Sequence, residues 1–198
     1  MTRKARGPRA ASKSQAGVKI DIRIESDLWK QQRAIATVAR RAIGKAAAVV
    51  ARPLCELAVL LTDDPAIRAV NADWRGIDAA TNVLSFPAPP DGGHRPFLGD
   101  IVLAYETIAA EARAEGKPFA HHFAHLCVHG FLHLLGHDHV RKKDAEAMEA
   151  AERDILRRLR IPDPYGEPLL LPACRLILPP HREPIPKKPT EQKTPVRR

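Results

Sequence analysis

Residues 18–24, VKIDIRI, alternate apolar and polar positions, the pattern of a strand with one buried face. Residues 56–62, ELAVLLT, form a nearly unbroken apolar run of strand length and predict a buried strand. Between them, residues 27–50 set Leu28, Ile35, Val38, Ala39, Ala42, Ile43 and the 46–50 apolar stretch at helical spacing, which completes a strand, helix, strand unit. Asp64-Pro65 reads as an N-cap with a first-turn proline, opening a short helix through Ile67, Val70 and Trp74 that stops at Gly76. Residues 81–86 end in Pro87, and a Pro/Gly-rich loop over 88–96 leads to a strand over 99–104. A helix over 107–115 ends at Gly116, and residues 118–135 are helical in composition and break at Gly136. Residues 143–159 form a last amphipathic helix with Ala147, Met148, Ala151, Ile155 and Leu159 turned inward. Strands and helices are mixed, so the expected fold class is α+β: a single compact domain with a four-stranded, partly parallel sheet packed with helices.

Composition adds bounds to this picture. The chain has 198 residues, 44% of them hydrophobic, which suits one domain with appendages rather than two domains. No apolar run approaches the roughly 20 residues needed to cross a bilayer, and no apolar segment follows the basic start, so neither a spanning helix nor a secretory signal is expected and the location is expected to be cytoplasmic. Cys55, Cys127 and Cys174 are too few and too scattered for a disulfide framework and read as small packing residues.

The charge sits at the ends. Residues 1–17 carry Arg3, Lys4, Arg6, Arg9 and Lys13 without an acid, and residues 175–198 carry seven basic residues against Glu183 and Glu191, so 18–174 is nearly neutral in a chain of net charge +9. Ten of the 18 prolines follow Arg160, a density that removes backbone donors and favours extended chain. The domain is therefore expected over 18–161, between a basic flexible tail at 1–17 and a Pro-rich basic tail at 162–198. Polybasic tails either attract phosphate backbones or only keep a domain soluble, and the Leu169–171 and Leu176–178 clusters could also dock back.

The chemistry is concentrated in His129-Gly-Phe-Leu-His133-Leu-Leu-Gly136-His-Asp-His139. Residues four apart share a helix face, so His129 and His133 can offer two imidazoles to one metal ion. Gly136 permits a left-handed turn that swings His139 back toward the pair. Three imidazoles and an open fourth position are the pattern of a catalytic zinc site, one ion per chain, on a zincin-like helix. His121, His122, His125 and His137 are expected to be ordinary helix-face or loop residues; at about 1.5 Å rise per residue, His121 lies roughly 18 Å and His125 roughly 12 Å along the axis from His133. Asp138 is either a group orienting a ligand or a turn carboxylate. In the metzincin protease pattern the first His is followed by a Glu acting as general base; here Gly130 stands there and cannot move a proton.

These residues resemble a known family. The run 129–139 is similar to the H-G-x-L-H-L-x-G-Y-D-H signature of the YbeY-type endoribonucleases, the bacterial rRNA maturation factors, with His137 where the signature has Tyr. Asn71, Trp74-Arg75, the run Thr81-Asn-Val-Leu-Ser-Phe-Pro87 and Leu98-Gly-Asp-Ile101 match further family motifs in order, with Asn82 where the family has Asp. The resemblance covers residues 18–160 and implies a metal-dependent nuclease acting on single-stranded RNA, in 16S rRNA 3′-end maturation and ribosome quality control, with rRNA and the small ribosomal subunit as partners and no membrane. It also makes Arg75 the candidate for stabilising charge on a phosphodiester, since a guanidinium fork suits phosphate. Thr81 and Ser85 are weaker candidates, and Val83, Leu84 and Phe86 read as core strand residues. Two other classes compete: a zincin-like hydrolase of peptides or small molecules, which Gly130 disfavours, and a ribosome-assembly factor whose metal mainly holds the fold. Nothing in the sequence bears on oligomeric state.

Overall fold

The computed structural model describes residues 17–50, 54–89, 96–137 and 141–166. Both expected tails lie outside this set, except residue 17 and residues 162–166. Strand β1 (Val18–Ile24) pairs in parallel with β2 (Cys55–Thr62), and β2 pairs in parallel with β4 (Phe97–Ala104). Strand β3 (Val83–Pro87) runs antiparallel on the far side of β4, so the spatial order is β1-β2-β4-β3 and β3 is an edge. This is the expected α+β architecture with a four-stranded mixed sheet.

The two sheet faces follow from strand alternation. Leu57, Val59, Leu61, Ile101 and Leu103 join the main core with helices α1 (Ile35–Val49), α4 (Phe119–Leu134) and α5 (Lys142–Leu159). The intervening Val102 and Ala104 face the other way and pack with Leu84 and with Ile67 of α2 (Asp64–Arg75). Helix α4 is the centre of the main core: Phe123, Cys127, Val128, Phe131 and Leu132 are all fully buried. Helix α3 (Tyr105–Ala114) follows β4 directly and packs against α4.

The expected helix over 27–50 is in fact two pieces. Ser26 caps a single 3-10 turn, Asp27–Gln31, and α1 starts only at Ile35. The cause is Trp29, which is 1% exposed, donates its indole N–H to the Thr62 carbonyl at 2.8 Å, and meets Tyr105, Phe119 and Phe123 edge-on. Seating this ring breaks the helix axis, a tertiary demand that helical spacing does not reveal.

Two further expectations are corrected. The N-cap of α2 is Asp63, whose carboxylate accepts from the Ala66 N–H at 3.1 Å; the Asp64 carboxylate instead accepts from the backbone and hydroxyl of Thr107, at 3.1 and 2.8 Å. On α5 the inward face is Met148, Glu152, Ile155, Leu156 and Leu159, while Ala147 is exposed. A small side chain gains little from burial, so its place in the pattern was a weak guide.

Cys55 and Cys127 are buried, as packing residues should be, and burial pushes the Cys127 thiol far above its ordinary range. Cys174 lies outside the described residues. Among the described residues, no helix is long and apolar enough to cross a membrane.

Candidate functional site

A cleft of about 780 Å³ runs along edge strand β3, with the C-terminal half of α4 on one side and the C-terminal end of α2 on the other. Both walls depend on glycine. Gly76 takes a left-handed φ of 70° and ends α2 immediately after Trp74 and Arg75, and Gly136 does the same for the turn after α4 at φ 83°. The segment beyond Gly76 is then pinned back: buried Asn71 donates its side-chain amide to the Ala79 carbonyl at 2.8 Å, and Arg68 makes a bidentate pair with Asp78 at 2.6 and 2.8 Å. Trp74 and Arg75 are thereby presented at a fixed corner facing β3.

On the opposite wall, His129 and His133 turn the same ring nitrogen to one point, their Nε2 atoms 3.1 Å apart and their rings at 79°. The other nitrogen of His129, Nδ1, lies 2.8 Å from Oε1 of Glu152 on α5. That carboxylate also lies 3.4 Å from His125 Nε2 and accepts from the Tyr165 hydroxyl. Glu152 is fully buried, which by itself would raise its pKa; hydrogen bonds from His125, His129 and Tyr165 outweigh burial and bring it down to about 2. In turn, burial and the adjacent carboxylate hold the Tyr165 phenol protonated. Residues 162–166, at the head of the expected C-terminal tail, therefore pack on the domain, helped by the Lys117 ammonium donating to the Pro164 carbonyl at 3.0 Å.

His125, His129 and Glu152 offer atoms within 4.8 Å of one another and could hold a metal ion. The same three residues already meet at hydrogen-bonding distances, and His125 borders a separate cavity of only about 50 Å³. Only His129 of the three also faces the large cleft, where His133 joins it. A carboxylate on one imidazole nitrogen with the opposite nitrogen turned to an open cleft is the usual arrangement behind a metal-ligating histidine. The donor set therefore fits a divalent cation at the His129–His133 point, with Glu152 behind it. His139 and Asp138 lie outside the described residues.

Arg75, Asn82, Ser85 and His137 line the same cleft as the histidine pair. Val83 and Phe86, expected in the core, are only half-buried and line the cleft too; Leu84 is buried as expected. Asn82 donates its amide to both oxygens of Glu111, at 3.1 and 3.0 Å, and Glu111 also meets His122 Nε2 at 2.8 Å. His122, expected to be ordinary, thus anchors a polar chain ending at the cleft. A Cβ at Gly130 would come within 2.9 Å of Ile101 Cγ2 and 3.0 Å of Ser85 Oγ, because α4 crosses the sheet at that residue. The position after the first histidine faces β3 and β4 and has no room for a side chain.

Sequence reasoning missed Glu152 and Tyr165. The only available signal was an acid at 152 among the apolar positions of α5, and it reads as surface charge until α4 is laid against it.

An α+β domain with an imidazole pair, a backing carboxylate and an arginine around one open cleft has the parts that a metal-assisted hydrolase uses. The model of the family "Endoribonuclease YbeY" matches residues 20–160. Endoribonuclease YbeY of Rhodopseudomonas palustris strain BisB5 is 51% identical over 158 residues, covering 74% of this chain and 81% of that one. Its namesake in strain ATCC BAA-98 / CGA009 is 53% identical over 74% of this chain and 80% of its own, and that of Bradyrhizobium diazoefficiens is 50% identical over 74% and 85%. The solution structure of TM1509 from Thermotoga maritima aligns with a TM-score of 0.42 and 22% identity, over 74% of this chain and 99% of that one. The chain belongs to the endoribonuclease YbeY family.

Proposed function

We propose that this chain is a cytoplasmic, zinc-dependent endoribonuclease that cuts single-stranded RNA in 16S rRNA 3′-end maturation and ribosome quality control. In this reading His129, His133 and His139 hold one zinc ion and Arg75 binds the scissile phosphate, with the small ribosomal subunit as partner. The observation that carries it is the convergence of His129 Nε2 and His133 Nε2, 3.1 Å apart, on a cleft that Arg75 also lines.

Bound there, a divalent cation supplies Lewis acidity toward a phosphodiester. Glu152 accepts from His129 Nδ1–H, which fixes the ring's tautomer and leaves Nε2 to the cleft. Arg75 places a permanently charged fork where negative charge grows on the phosphate oxygens. Ser85 donates to the Gly130 carbonyl at 3.2 Å and ties β3 to α4, which holds the histidine wall against the strand that runs along the cleft. Residue 130 takes no part in proton transfer. The packing there argues against a peptidase of the metzincin kind, because a glutamate at this position would require α4 to move off the sheet.

The test is metal analysis of the purified protein together with cleavage of a single-stranded RNA, with and without chelator. One zinc per chain, and cleavage abolished by chelation and in His129→Ala, are expected. Cleavage that persists without metal would refute the reading.

A further inference from the structure

Trp74 is the most exposed large apolar side chain among the described residues, at 74%, although an indole ordinarily buries most of its surface. It is not a loose surface ring. It sits on the last turn of α2 beside Arg75, Phe86 of β3 supports it with ring centroids 5.4 Å apart and planes tilted by 56°, and it lines the same cleft as His129 and His133. The corner that carries it is held by the Asn71–Ala79 hydrogen bond and the Arg68–Asp78 pair. A rigid, open aromatic face next to a guanidinium and a candidate metal point matches the parts of a single-stranded nucleic-acid site: a platform for a base and a cation for its phosphate.

We infer that Trp74 is a stacking subsite for one unpaired nucleobase of the RNA substrate, adjacent to the phosphate that Arg75 engages. The inference rests on the RNA reading above and adds to it a base-binding position. A base paired within a duplex keeps its faces covered by its neighbours, so a platform of this kind favours unpaired RNA without reading sequence.

Trp29, the other tryptophan, is buried, so quenching of tryptophan emission reports on Trp74. The full chain is titrated with a short 2′-O-methyl oligouridine and with an abasic chain of the same length and charge, and cleavage of unmodified single-stranded RNA is followed in parallel. The oligouridine should quench emission strongly and the abasic chain weakly. Replacing Trp74 by Ala should weaken oligouridine binding between about fivefold and 150-fold, the range for loss of one base–aromatic stack. In cleavage it should raise KM more than it lowers kcat, while Trp74→Phe restores most of the affinity. The side chain is exposed, so neither variant threatens the fold. Normal cleavage with unchanged emission, or a Trp74→Ala chain with unaltered KM, overturns the stacking subsite and leaves the nuclease reading standing. Absence of both binding and cleavage of any single-stranded RNA overturns the reading on which it rests.

Discussion

Among the described residues two glycines lie inside helices, Gly44 in α1 and Gly130 in α4, and the same substitution should have opposite effects at the two. Alanine in a helix interior is favoured over glycine by about 0.5–1 kcal/mol, through backbone entropy. A Cβ at Gly44 meets nothing within 4 Å, so Gly44→Ala should realise that gain in full. A Cβ at Gly130 falls 2.9 Å from Ile101 Cγ2 and 3.0 Å from Ser85 Oγ. Ile101 is fully buried and β-branched, so it cannot swing aside, and Ser85 can yield only by giving up its bond to the Gly130 carbonyl. Overpacking of this kind costs about 1–3 kcal/mol, which leaves a net loss of about 1 kcal/mol after the helix gain. At roughly 2–4 °C per kcal/mol for a domain of this size, the midpoints of the two variants should differ by about 4–7 °C in thermal unfolding, with the parent between them. RNA cleavage should fall in Gly130→Ala, since pushing α4 off β3 moves His129 relative to Arg75, and should be unchanged in Gly44→Ala. A Gly130→Ala chain more stable than its parent would show that α4 does not press against Ile101 and Ser85 and would refute the close approach.

Other outcomes follow from the polar groups. The Glu152 pKa lies below its ordinary 4.5, at about 2, so its contribution of roughly 3 kcal/mol is complete above pH 4.5 and disappears as pH falls toward 2; with chelator present, Glu152→Gln should flatten denaturant stability across that window, and an unchanged acid limb would contradict the buried network. Asn82→Asp sets a second carboxylate against Glu111 in place of two hydrogen bonds, and should cost about 1–2 kcal/mol at neutral pH and less in acid, where one proton can be shared; a variant equally stable at both pH values would count against the contact. In metal-binding titrations His139→Ala should lower affinity sharply and His125→Ala only slightly, and the reverse ranking would move the metal to the His125–His129–Glu152 group. Deleting 1–17 and 179–198 should flatten the salt dependence of RNA binding, by about 0.7 in slope for each phosphate the ends had neutralised, and leave single-turnover cleavage intact; an unchanged slope would mean that the ends do not touch RNA.

Much of this was legible in the chain itself, because period and punctuation are local properties. The alternation over 18–24 and the stops at Gly76, Gly116 and Gly136 placed most elements within a residue or two, and the four-residue spacing of His129 and His133 put two imidazoles on one face whatever the rest of the fold did. Composition likewise located the basic charge at the two ends. What local pattern could not supply was the pairing of distant residues. Trp29 breaks a helix because its indole is needed 33 positions away at Thr62, Glu152 looks like surface charge until its α5 face meets α4, and Gly130 looks like a missing base until Ile101 and Ser85 are set against it. In each case the deciding energy is a contact or a desolvation between elements far apart in sequence, so the chain sets which side chains are available and packing between elements settles what each of them faces.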